Sequence, residues 1–172
     1  MIISLTGFMG CGKSSVGRRL SQLLCCPFMD LDAEIEARSG RSIPEIFEAE
    51  GEKEFRRLEK ETLKDVLETD GKMVLALGGG AVMTPECEEM VNDKTVCIYL
   101  KASVDELVER LSGESAGRPL LNTADLHTRI LDLMSRRAST YERVAHLIID
   151  TNGRTIDEVA SEITEKLAVR GA

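Results

Sequence analysis

Short, continuous apolar runs alternate along this chain with longer stretches in which apolar residues recur at helical spacing. The runs at residues 2–6, 25–29, 73–77, 95–100 and 147–150 are four to six residues long and predict buried strands. Between them the period changes. Val16, Leu20, Leu23 and Leu24 follow the first run at helical spacing, and a helical pattern covers residues 33–67, broken near Ser39-Gly40 and again near Glu50-Gly51. Further helices are predicted over 85–91, 104–111, 126–145 and 156–167. Residues 112–125 have no period and carry glycine, proline and small polar residues, the composition of a mobile loop. Strands that alternate with helices predict an α/β fold in three layers, a five-stranded parallel sheet with helices on both faces. No repeat, low-complexity tract or linker divides the chain, so residues 1–172 are expected to form a single domain. In such a fold ligands gather at the carboxyl ends of the strands, and that is where chemistry is to be sought.

The first strand runs directly into Gly7-Phe8-Met9-Gly10-Cys11-Gly12-Lys13-Ser14, which fits G-x-x-x-x-G-K-[ST]. Strand, glycine loop and helix is the context this motif requires. The glycines let backbone N–H groups turn onto phosphate oxygens, and the positive end of the helix adds to the attraction. Lys13 is placed to reach β and γ phosphates and the Ser14 hydroxyl to take a position on Mg²⁺. A nucleoside triphosphate is the implied ligand.

Composition narrows the classes. The chain of 172 residues, 42% hydrophobic and 30% charged, has the make-up of an ordinary globular domain. No apolar run approaches the ~20 residues that span a bilayer, and the first strand has no leader before it, so the expectation is a cytoplasmic protein with no membrane role. A formal charge of −8 argues against nucleic acid as a partner. The cysteines (Cys11, Cys25, Cys26, Cys87 and Cys97) lack metal-site spacing and read as buried thiols. Cys11 is the exception: beside a helix N-terminus, its pKa is expected to fall and its thiol to be open to oxidation.

Other candidates follow strands or interrupt apolar stripes. Asp30 and Asp32 close the second strand; one could support a Mg²⁺ shell and the other accept a proton, although Asp32 could equally cap the helix starting at Ala33. Arg56 borders the stripe Phe55, Leu58, Thr62 and Val66, where it could turn into a cleft or simply pair with Glu52 along the helix. Arg57 shares a solvent face with Glu61. On the long helix, Arg137 falls on the face of Ile130, Met134, Tyr141 and Val144, whereas Arg136 falls among polar positions. A guanidinium on a buried stripe needs an anion, either internal or brought by a ligand. Gly78-Gly79-Gly80 closes the third strand and permits close backbone approach. Arg118-Pro119-Leu120-Leu121 lies in the loop read as mobile.

Taken in order, the phosphate loop, Asp-x-Asp, Gly-Glu-x-x-Phe-Arg, Gly-Gly-Gly, Arg-Pro-Leu-Leu and Arg-x-x-x-Tyr resemble shikimate kinase over essentially the whole chain. The resemblance implies a P-loop kinase fold with a lid at about 112–125 and a substrate-binding helical segment at about 32–60. It implies Mg²⁺-dependent transfer of the ATP γ-phosphoryl group to the 3-hydroxyl of shikimate by a monomeric enzyme. Lys13, Asp32 and Arg118 would be catalytic. Gly10, Cys11, Gly12, Lys13, Ser14, Ser15, Arg118 and Arg154 would bind ATP, and Asp32, Arg56, Gly79 and Arg137 would bind shikimate. Ser14 would hold the metal directly, and Asp30 through water. A guanine-nucleotide switch is disfavoured because Asn92-Asp93-Lys94-Thr95 lacks the Asn-Lys-x-Asp order. A kinase of another small hydroxy-acid such as gluconate, a nucleoside monophosphate kinase and a silent nucleotide-binding module are the alternatives.

Overall fold

The computed structural model describes residues 1–114 and 123–171. In chain order it contains β1 (Ile2–Thr6), α1 (Lys13–Leu23), β2 (Phe28–Asp30), α2 (Leu31–Ser39), α3 (Ile43–Leu67), β3 (Met73–Ala76) and a 3₁₀ turn (Ala81–Met83). Then come α4 (Pro85–Lys94), β4 (Thr95–Lys101), α5 (Val104–Glu114), α6 (Thr123–Val144), β5 (Leu147–Asp150) and α7 (Ile156–Gly171). The strands form one parallel sheet in the order β2-β3-β1-β4-β5. All of β1 is buried, as the central strand of a sheet covered on both faces must be.

Side-chain alternation along each strand sorts the core into two layers. Ile2, Leu75, Cys97 and Tyr99 face α2, α3, α4 and the C-terminal half of α6, packing with Leu31, Leu63, Val91 and Tyr141. Ile3, Leu5, Val74, Ile98 and Leu100 face α1, α5 and α7, packing with Leu20, Leu107, Val159 and Ile163. The chain reverses direction across the sheet at β1, between β3 and β4, so the crevice for a ligand opens where the phosphate loop leaves β1.

Two expected elements shift for physical reasons. The strand expected at 25–29 is Phe28–Asp30, because Cys25 and Cys26 complete the C-terminal turn of α1. Cys25 adopts φ 52, and the Cys26 amide donates to the Ser21 carbonyl at 3.0 Å, which is the 6→1 bond of a Schellman turn. Cys25 is therefore exposed and Cys26 half-buried, not core thiols as expected. The expected loop at 112–125 is shortened by helix at both ends, with α5 continuing to Glu114 and α6 starting at Thr123. Backbone bonding carries each helix past the last residue of its apolar period. The remainder of that loop, including Arg118, lies outside the described residues. The predicted break near Glu50-Gly51 is present: Gly51 (φ 84, ψ 176) separates two helical arms within α3.

Candidate active site

Three strand ends supply the site. After β1, Gly10 and Gly12 take φ 82 and 93, a left-handed backbone that turns the loop and starts α1 at Lys13. Lys13 folds back over its own loop, donating from Nζ to the Gly7 carbonyl at 2.7 Å and towards Phe8 at 3.4 Å. Ser14 donates to Asp30 Oδ2 at 2.9 Å. Asp30 Oδ1 in turn accepts from the Ala33 amide at 3.2 Å and caps α2. The cap that Asp32 could have supplied is made by Asp30, because α2 begins at Leu31 rather than Ala33. That leaves the Asp32 side chain to the crevice. Burial raises its pKa above the usual carboxylate value, the Asp30 charge adds to the rise, and Lys13 and Arg56 oppose it.

After β3, the glycine corner is walled by the other candidates. A β-carbon placed on Gly78 would lie 2.8 Å from Asp32 Oδ1, on Gly79 3.4 Å from Arg137 Nη1, and on Gly80 2.5 Å from Arg56 Nη2. The same position on Gly79 is 3.6 Å from the Met9 amide nitrogen, so the corner abuts the phosphate loop. Asp32, Arg56, Arg137 and the loop therefore converge on one crevice. Arg56 is half-buried over the Phe55 ring and pairs with Glu59 at 2.8 Å and Glu52 at 3.6 Å. Arg137 stacks over Phe8, 6.0 Å from the ring centroid. Their neighbours on the same helices differ as expected: Arg57 is exposed and paired with Glu54 and Glu61, and Arg136 is exposed and paired with Asp132.

A second cavity of about 300 Å³ lies on the other side of the loop, lined by Gly10, Gly12, Ser15, Arg110, Thr151 and Arg154. Arg154 is held at its wall by the Asp150 carbonyl at 2.9 Å and by Glu162 at 2.7 Å. Cys11 departs from expectation. It is 2% exposed, and burial raises its thiol pKa against the opposing pull of Lys13. Its side chain turns under the loop, so the helix N-terminus has no exposed sulfur to activate.

Three residues escape the sequence reading. Arg110 bridges the loop to the β5 end, donating to the Gly10 carbonyl at 3.2 Å and the Thr151 carbonyl at 3.2 Å. In sequence it reads only as the i+4 partner of Glu106, a pair that also forms. Glu59, 1% exposed, joins Arg56. Its signal was legible, since a carboxylate falls on the stripe between Phe55 and Thr62. Tyr141 donates to the Gly79 carbonyl, and its hydroxyl looks in sequence like an ordinary edge of the core.

A parallel sheet in this strand order, with a phosphate loop at its centre and a carboxylate beside paired guanidiniums, defines a P-loop kinase of small molecules. The shikimate kinase family model matches residues 9–168. A shikimate kinase of Thermus thermophilus is 44% identical over 165 residues, covering 96% of this chain and 89% of that one. One from Bordetella avium is 43% identical, covering 96% and 78%. The solved shikimate kinase from Acinetobacter baumannii, in complex with shikimate, superposes with a TM-score of 0.88 at 36% identity, covering 98% of this chain and 93% of that one. The chain belongs to the shikimate kinase family, and it is an ATP-dependent kinase that phosphorylates shikimate.

Proposed function

We propose that the γ-phosphoryl group passes to the 3-hydroxyl of shikimate in the crevice between the phosphate loop and the Gly78–Gly80 corner. The observation that carries this reading is the convergence of Asp32, Arg56 and Arg137 around that corner, within reach of Lys13. Arg56 and Arg137 take the substrate carboxylate, for which the planar guanidinium fork is suited. Asp32 accepts hydrogen bonds from ring hydroxyls and takes the proton as the hydroxyl oxygen attacks phosphorus. A new oxygen–phosphorus bond forms, the bond from the γ-phosphorus to the bridging oxygen breaks, and ADP leaves with that electron pair. Lys13 exchanges its own loop carbonyls for phosphate oxygens, so the cation is already in place before ATP arrives.

The pairing of the Ser14 hydroxyl with the Asp30 carboxylate is a hard-oxygen donor set, and it suits Mg²⁺, which keeps several waters and takes phosphate as a ligand. Ser14 would bind directly and Asp30 through water; when bound, the ion would neutralise charge on the phosphate oxygens. Gly10, Cys11 and Gly12 offer backbone amides to the phosphates. Ser15, Arg110 and Arg154 line the cavity that takes the nucleoside end. Arg118 is assigned to ATP by family resemblance. Residues 32–60 serve as the substrate-binding segment and 112–125 as the lid of one domain.

All these groups apart from Arg118 are brought together by a single chain, which supports a monomeric enzyme. Among the described residues no helix is long and apolar enough to cross a membrane, consistent with action in the cytoplasm. The test is ADP release with shikimate, gluconate or nucleoside monophosphates as acceptor, with Mg²⁺ present or chelated, and the product's phosphate position read by NMR. Shikimate-dependent, Mg²⁺-dependent turnover giving the 3-phosphate is expected. Turnover at another hydroxyl, or undiminished after chelation, would overturn the corresponding assignment.

A further inference from the structure

Tyr141 is fully buried on α6, with its ring tilted against Tyr99 at a centroid distance of 5.2 Å. A buried phenol is expected to find a hydrogen-bond partner. This one donates to the Gly79 carbonyl, 62 residues away in sequence. One helical turn earlier, Arg137 points at the same corner, and its positive charge acts on the Tyr141 hydroxyl. The phenol proton is thus committed to Gly79, beside the Arg137 charge.

This has a consequence for the backbone. In a trans peptide the carbonyl and the following N–H point in opposite directions. Fixing the Gly79 carbonyl fixes the plane of the Gly79–Gly80 peptide and sends the Gly80 N–H the other way. Among the described residues neither the Gly79 nor the Gly80 amide has an internal acceptor. Glycine alone cannot hold such a plane, since its φ and ψ are the freest of any residue. The corner thus presents unsatisfied donors whose aim depends on a side chain from another layer of the fold.

We propose that Tyr141 is a positioning residue for the acceptor substrate: its hydroxyl sets the direction of the Gly79–Gly80 amide at the corner that Arg137 also faces. The proposal rests on the reading that this corner and Arg137 bind shikimate. Burial raises the phenol pKa to about 12, so the hydroxyl stays protonated throughout the working range and never ceases to donate. Because the Tyr141 hydroxyl donates to the acceptor-side corner, its effect falls on the acceptor. Among the described residues, Lys13 bonds to its own loop and Tyr141 does not line the cavity of Arg110 and Arg154.

The test uses the full chain with Tyr141→Phe, which keeps the ring and its contact with Tyr99, and Tyr99→Phe as a control that removes a buried hydroxyl without touching Gly79. Equilibrium affinity and KM are measured for both substrates, together with thermal stability. Tyr141→Phe is expected to weaken shikimate binding about tenfold, the scale of one lost hydrogen bond, with ATP affinity changed less than about twofold. Combined with Arg137→Ala, the loss should be smaller than the product of the two single effects, because both act on one corner of the site. Unchanged shikimate affinity in Tyr141→Phe would overturn the proposal, as would equal losses for shikimate and ATP. If Arg137→Ala alone also leaves shikimate affinity intact, the substrate assignment itself fails. If it does not, only the role of Tyr141 is lost. A Tyr141→Phe protein too unstable to assay, beside a stable Tyr99→Phe, would mark the hydroxyl as structural and overturn the proposal as well.

Discussion

The two glycine corners of the site sit at the ends of paired strands, β1 and β3, yet need glycine for opposite reasons. Gly12 takes φ 93, and a β-carbon there would meet nothing nearer than a Val16 methyl at 3.8 Å. Space is available; the left-handed backbone is what excludes other residues. Gly80 takes φ −104, which any residue adopts, but a β-carbon there would lie 2.5 Å from the Arg56 guanidinium. The first corner is specified by its own backbone, which must turn amides onto phosphate. The second is specified by what crowds against it. A corner of the first kind can be exchanged between proteins as a motif, whereas one of the second kind has meaning only with its surrounding side chains.

The largest effect that sharpens this contrast is on the phosphate side. Lys13→Ala is expected to abolish turnover while leaving the thermal unfolding curve in place, because among the described residues Lys13 hydrogen-bonds only to loop carbonyls. Measurable turnover near the wild-type rate would remove the phosphate-loop assignment. On the acceptor side, Asp32→Asn should lower the single-turnover rate by about 10²–10⁴-fold, as for a lost general base, with shikimate affinity changed far less. The pH dependence has a definite sign. With its pKa raised by burial, Asp32 loses its proton at higher pH than an ordinary carboxyl group, so the acid limb of kcat/KM should be displaced upward and vanish in the variant. Stability moves the other way. The folded state holds this proton where the unfolded chain has released it, so stability is gained as pH falls through the raised pKa towards the ordinary one. Glu59, raised by burial despite Arg56, acts in the same direction. A large loss of affinity with an intact rate would make Asp32 a binding residue only.

The same contrast explains what could be read without coordinates. The phosphate loop, four of the five strands and the break at Gly51 were legible because each follows from local backbone demands or apolar period, whereas β2 was displaced by the turn that closes α1. Arg137 was legible as a charge on an apolar stripe, and Glu59 carries the same mark. Arg110 was not, because its contacts join residues 10 and 151, and a sequence shows it only as one more helical ion pair with Glu106. Asp30 and Asp32 could be found but not sorted: a shift of two residues in where α2 begins decided which of them caps and which faces the crevice. Cys11 was misjudged because proximity to a helix N-terminus in sequence says nothing about which side of the loop a thiol takes.

Gly12→Ala and Gly80→Ala break the comparison directly. Gly12→Ala is expected to raise the KM for ATP and lower thermal stability, since the residue must leave its native φ. Gly80→Ala meets only the far end of a flexible side chain, so Arg56 moves aside and the fold survives. Displacing that guanidinium by about 1 Å should cost about 10²-fold in kcat/KM for shikimate, with ATP binding and unfolding temperature little changed. If Gly80→Ala destabilised the protein as much as Gly12→Ala, the distinction between backbone and crowding would be wrong.

The smallest effect tests the backbone half of the contrast away from the site. Cys25 occupies the left-handed position after α1 that glycine usually fills, with φ 52 and its side chain in solvent. Its sulfur makes one weak contact, with the Gln22 carbonyl at 3.8 Å. A β-carbon in this conformation costs about 1–2 kcal/mol, and glycine returns about 0.5–1 kcal/mol of that through the freer unfolded chain. Cys25→Gly should therefore stabilise by at most about 1.5 kcal/mol, an unfolding temperature higher by no more than about 3–6 °C for a chain of this size. The Cys26 amide keeps its bond to Ser21, and neither substrate's KM should move, because the turn lies at the opposite end of α1 from Lys13. Differential scanning calorimetry with paired kinetics measures both. A lower unfolding temperature in the glycine variant would mean that the cysteine side chain contributes more than its geometry costs, and that left-handed φ alone does not dictate glycine in this fold.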